Sequence, residues 1–161
     1  MDTHSDTVTL KELFENSSFT IPEIQRDYAW DAKKEVSKLL EDLWKYHTVT
    51  DQEASPHYFV GTIIVYSGHE HGDDLQIMDG QQRITSITCL MSALKSHLEL
   101  HARSASASER KKTEKLVDDV EDSYLFDFVK KKVRPKLRPK TDDAITTIRQ
   151  MVQMDGNPPD E

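Results

Sequence analysis

Five residues in one turn, Asp79, Gly80, Gln81, Gln82 and Arg83, carry the densest chemistry in the chain. They close a short apolar stretch and lead straight into residues with helical spacing. A helix starting at such a turn points unpaired backbone N–H groups outward, where its dipole favours an anion. Arg83 adds a planar guanidinium that can grip a phosphate bidentately. Gly80 permits a positive φ or close backbone approach. Gln81 and Gln82 can donate and accept, which suits a phosphate, a base edge or an attacking water. Asp79 can fix the turn backbone or bind a metal-associated water. Thr85 and Ser86 add hydroxyls in the first turn. These types together serve a phosphate-bearing ligand, nucleotide or nucleic acid. A plain strand-to-helix turn, with the aspartate capping the helix, fits the same residues equally well.

A second group lies at Gln25-Arg26-Asp27-Tyr28-Ala29-Trp30. Gln25-Arg26 echoes Gln82-Arg83. Arg26 stands near apolar residues and needs an anionic partner. Tyr28 and Trp30 can stack on a base; the competing reading, favoured for Trp30, is a core residue at a helix entrance. A third group is the basic run Lys130, Lys131, Lys132, Arg134, Lys136, Arg138 and Lys140. On an extended segment it can track a phosphate backbone, or simply guard a solvated edge strand. His69, His71, Asp73 and Asp74 read as a solvated loop, because no zinc-type spacing accompanies them. Walker and GxGxxG glycine motifs are absent from the sequence.

The elements that position these groups follow from periodicity. Leu10 to Phe14 reads as a short helix. Phe19 to Ile24 reads as an extended piece that Pro22 confines to an edge. Asp31 caps a helix whose Val36, Leu39, Leu40, Leu43 and Trp44 should bury one face. Tyr58 to Tyr66 and Leu75 to Met78 read as two strands of a hairpin. Ile84, Ile87, Leu90, Met91, Leu94 and Leu98 then form a helical stripe, and Cys89 reads as a small core residue. Arg103 to Ser108 reads as a loop or linker, followed by a solvated helix over Lys112 to Asp122. Tyr124 to Val129 and Val133 to Pro139 read as extended, the latter with Arg134, Lys136 and Arg138 on one face. Asp142 to Met154 reads as a final helix.

The 161 residues suffice for one domain with a core. With 36% hydrophobic and 31% charged residues and no long apolar run, the chain reads as cytoplasmic and not membrane-bound. Its net charge of −8 would repel nucleic acid if spread evenly, but the basic run is local.

Three segments in order, FTIPEIQRDYAW (Phe19 to Trp30), YFVGTIIV (Tyr58 to Val65) and IMDGQQRITSITCL (Ile77 to Leu90), resemble the DGQQR domain. That domain forms the N-terminal part of GmrSD-type modification-dependent restriction proteins and related phage-defence proteins, including the phosphorothioate-sensing SspE type. KLRPKTDDAITTI (Lys136 to Ile148) resembles the family's downstream basic strand and Asp-bearing helix. The resemblance covers residues 8 to 150 and rests mainly on the paired QR motifs. It implies an α/β (α+β) fold with a ParB/sulfiredoxin-like core, a small mixed sheet flanked by helices. It further implies NTP binding and hydrolysis with Mg2+, coupled to sensing of modified DNA in an anti-phage restriction system.

Carried over by position, Asp79, Gln81, Gln82 and Arg83 would be catalytic. Gly80, Arg83, Thr85, Gln25 and Arg26 would bind the nucleotide. Tyr28, Trp30, Lys136, Arg138 and Lys140 would meet DNA, and no protein metal site is expected. The expected organisation is a flexible stretch 1–9, an incomplete DGQQR domain 10–153 and a disordered tail 154–161. Family members often carry an HNH nuclease domain, whose His-rich ββα pattern is absent from this sequence, so DNA cleavage is not expected of it. A homo-oligomer, or a nuclease domain or subunit outside this chain, is the expected partner, and the chain reads as a truncated piece or a minimal protein. The rival readings are a non-enzymatic DNA-binding module, a ParB-like nuclease acting at the DGQQR turn, and a protein-interaction domain using the acidic surface.

Overall fold

The computed structural model describes residues 4–49, 57–67, 74–129 and 132–139. The chain opens with helix α1 (Leu10–Glu15). Thr9 and Glu12 form a reciprocal capping box that satisfies the first amides, which is why so short a helix is held. Strand β1 (Phe19–Thr20) follows, then a π-helical turn (Ala32–Val36) running into helix α2 (Ser37–Val49). As expected, Asp31 caps that turn through the Lys33 amide at 2.8 Å. Strands β2 (Ile64–Ser67) and β3 (Leu75–Asp79) make the expected antiparallel pair. Helix α3 (Gln81–Ser104) starts one residue after β3, and helix α4 (Ala107–Val120) packs back along it. A second π-helical turn (Glu121–Leu125) leads to β4 (Phe126–Val129), β5 (Lys132–Pro135) and β6 (Leu137–Arg138).

The architecture is mixed α/β. One sheet has the order β2-β3-β1-β6, and β4 with β5 makes a separate antiparallel pair. β1 runs parallel to both β3 and β6. The core gathers on one side of this sheet from Phe14, Phe19, Ile21, Ile77, Ile84, Ile87 and Leu137. Phe14 meets Phe19 edge-on at 5.4 Å between ring centres. Among the described residues, no helix is long and apolar enough to cross a membrane.

Several sequence expectations are corrected. β1 is interior, not an edge: it ends before Pro22, so the proline removes no ladder bond, and the Phe19 amide donates to Lys136 O at 2.6 Å. The apolar stripe of α2 is not buried; Leu40 and Trp44 are exposed, Trp44 by 70%. Periodicity reports an amphipathic helix but not what covers it. The strand expected from Tyr58 begins only at Ile64, because β2 pairs with β3 alone and its register shifts after Ile64. The linker expected over residues 103–108 shrinks to a two-residue break, since Ser106 and Glu109 make a second capping box that restarts the helix. Cys89 is only half-buried, though burial still pushes its thiol pKa up. His69, His71, Asp73, the helix Asp142–Met154, Lys140 and the tail 154–161 lie outside the described residues.

Two buried charges were not foreseen. Lys95 is 3% exposed and bonds Glu99 at 3.0 Å and Glu121 at 3.2 Å. Burial opposes its charge, but hydrogen bonds to both glutamates outweigh this and raise its pKa. Asp74, read as part of a solvated loop, is 3% exposed and pairs with Arg138 and with Arg134 at 3.4 Å.

Candidate functional site

Gly80 is the N-cap of α3 and adopts φ +93°. A side chain there would be strained in any case, and its Cβ would stand 3.0 Å from Ile63 Cγ1 and 3.2 Å from Ile63 Cα. The glycine thus lets the chain turn from β3 into α3 against the backbone of the segment preceding β2. No side chain caps the helix, so the reading in which Asp79 serves only as the cap is set aside. The start of a 24-residue helix is left to whatever enters beside it.

The expected residues converge there. Gln25, Arg26, Trp30, Asp79, Gly80, Gln81, Gln82 and Arg83 line one cavity of about 120 Å³. The two QR motifs, more than fifty positions apart, therefore face one space. Thr85 and Tyr28 do not border it. Thr85 keeps a buried hydroxyl without a partner. Tyr28 binds Ser86 Oγ at 2.8 Å, and Ser86 in turn donates to Gln82 O.

The glutamines differ in role. Gln82 is buried, and its Oε1 accepts from the Ala29 amide at 2.7 Å and the Trp30 amide at 3.2 Å. Its Nε2 donates to Asp27 O at 3.2 Å. Gln81, also buried, donates from Nε2 to Arg26 O at 2.9 Å and keeps an Oε1 with no partner. Gln25 donates to Met78 O at 2.8 Å, tying its loop to β3.

Arg83 donates from Nη1 to Thr62 O at 2.7 Å. Its guanidinium lies over Gly61, where a Cβ would come within 2.8 Å of Cζ. Gly61 and Thr62 were missed at the sequence level, although a glycine inside a β-branched run signals close approach. Among the described residues, neither Arg26 nor Arg83 has a carboxylate within ion-pair range, and Asp79 has no cation. Two guanidinium groups and one carboxylate are thus available to a ligand. No cluster of three or more His, Cys, Asp or Glu placed to hold a metal occurs among the described residues.

The basic run is organised otherwise than expected. Lys136 is 5% exposed, and its Nζ donates to Phe14 O at 2.6 Å. Arg138 is committed to Asp74, while Arg134 reaches Asp74 and, at 3.2 Å, Asp127. Lys136 and Arg138 therefore form no cationic face for DNA. A bend at Lys136 between β5 and β6 breaks the alternation that would have aligned them.

Fold and site define a mixed α/β domain with an uncapped helix start flanked by two unpaired arginines. The chain belongs to the family described as the GmrSD restriction endonuclease N-terminal domain, whose model matches residues 10–157. This makes it a restriction-system domain. A comparison with curated proteins finds no match.

Proposed function

We propose that this domain binds and hydrolyses a nucleoside triphosphate with Mg2+, and that this step is coupled to recognition of modified DNA within an anti-phage restriction system. The observation that carries the proposal is the cavity at the start of α3, which Arg26 and Arg83 share without carboxylate partners. Their guanidinium groups suit phosphate oxygens in geometry and charge. The amides of the Gly80 turn supply further donors. Asp79 is placed to receive water carried by the magnesium ion. Gln81, with a free Oε1, is the glutamine suited to orient an attacking water. Ligand bound between Arg26 and Arg83 bridges the loop at residues 25–30 and α3, so it favours one arrangement of that loop and of α2 beyond it. The DNA contact falls to surfaces other than Lys136 and Arg138.

The test is calorimetric titration with GTP, ATP and CTP in the presence of Mg2+, followed by phosphate-release assays. Loss of one charge-assisted contact of about 1.5–3 kcal/mol should weaken binding roughly 10- to 100-fold in Arg83→Ala. Unchanged affinity in a folded Arg83→Ala protein would overturn the assignment.

A further inference from the structure

Resting on the nucleotide reading above, we infer that Gln82 is a positioning residue: its carboxamide holds the backbone at residues 27–30 so that Arg26 is presented to the phosphate. The geometry leaves it little else to do. Its Oε1 has two lone pairs, and the amides of Ala29 and Trp30 take both. Its Nε2 is engaged by Asp27 O. These contacts fall on both sides of Tyr28 and grip the loop just after Arg26. Gln81 reaches the carbonyl of Arg26 itself, so two consecutive helix residues hold one stretch of loop. Gln82 is 7% exposed, which keeps water from competing for these bonds. Arg26, by contrast, is exposed and has no ion pair among the described residues, so only its backbone is fixed. A phosphate held between Arg26 and Arg83 thus depends on Gln82 through Arg26. Water orientation, which needs a free acceptor, falls to Gln81 instead.

The experiment is a double-mutant cycle between Gln82→Ala and Arg26→Ala in the full chain. It reads the Kd of GTP with magnesium, the kcat of phosphate release, and hydrogen exchange at the Ala29 and Trp30 amides. Gln82→Ala should speed exchange at both amides by about tenfold or more and weaken GTP by about tenfold. Its kcat should change less than about twofold, and it should add nothing to Kd in the Arg26→Ala background. Gln82→Glu guards against misfolding. Its carboxylate still accepts from Ala29 and Trp30 but cannot donate to Asp27 O, so it should lose less affinity than the alanine variant. Unchanged exchange at Ala29 and Trp30 would overturn the inference. So would a fall in kcat at constant Kd, or Kd losses that simply multiply in the double variant. If wild-type protein binds no GTP, the nucleotide reading fails, and amide exchange still decides the clamp on its own.

Discussion

Gly80→Ala is the sharpest perturbation of the site's foundation. Gly80 sits at φ +93°, where an L-residue costs about 1–2 kcal/mol. The new methyl would also meet Ile63 Cγ1 at 3.0 Å and Ile63 Cα at 3.2 Å. The side-chain contact can relax by a few tenths of an ångström, but the backbone contact cannot, so overpacking adds about 1–3 kcal/mol. Alanine also stiffens the unfolded chain, which offsets about 0.4–1 kcal/mol. The net loss is about 2–4 kcal/mol. For a domain of this size that lowers Tm by roughly 4–16 °C. Thermal melts followed by circular dichroism, with urea unfolding as a second measure, read it directly. Ile63→Ala in the same protein separates the two terms: the side-chain clash should disappear while the φ penalty persists. A Gly80→Ala protein that melts within about 2 °C of wild type would refute the account of this turn.

Other expectations concern the buried charges. Glu99→Gln with Glu121→Gln should destabilise by about 3–5 kcal/mol in urea unfolding, because it strands the Lys95 ammonium, whereas Lys95→Met in the same assay should cost less. Burial holds the Lys136 pKa below 10.5, so the folded state sheds this proton before the unfolded state does. Stability should therefore gain a rising contribution with pH between its folded pKa and 10.5, and Lys136→Met should abolish that contribution in melts taken across the alkaline range. Thr9→Ala should cost about 1 kcal/mol in urea unfolding through loss of the α1 cap.

The locally encoded parts of the fold were legible. Thr9, Asp31 and the β2/β3 hairpin read correctly because caps and strand alternation act within a few residues. The stripe of Ile84 and Ile87 did so because a helix repeats its burial every turn. The place of β1 was not legible: two residues carry no period, and its neighbours come from positions 75 and 137. Lys136, Asp74 and Lys95 misread for a shared reason. Charge predicts exposure until a partner arrives from elsewhere in the chain, and those partners lie on other elements. In the site, residue types marked both QR motifs, but only the folded backbone shows them lining one cavity. The glutamines were indistinguishable in sequence, since their difference lies in bonds to main-chain atoms of a distant loop. The exposed face of α2 had no signal at all, because its pattern matches that of a covered helix.

The interior position of β1 also sets an order of events during synthesis. Phe19 and Thr20 leave the ribosome early, yet β6, their second neighbour, comes more than a hundred residues later. Until Leu137 and Arg138 emerge, one side of β1 has no partner, and the amides of Phe19 and Ile21 lack their acceptors on Lys136 and Arg138. The sheet beneath the site can therefore close only near the end of translation, after a loop closure that is entropically costly and slow. A nascent chain stalled before residue 137 should hold α3 and the hairpin as partly formed pieces that resist proteolysis poorly, and release past residue 138 should turn them cooperatively into a protected domain.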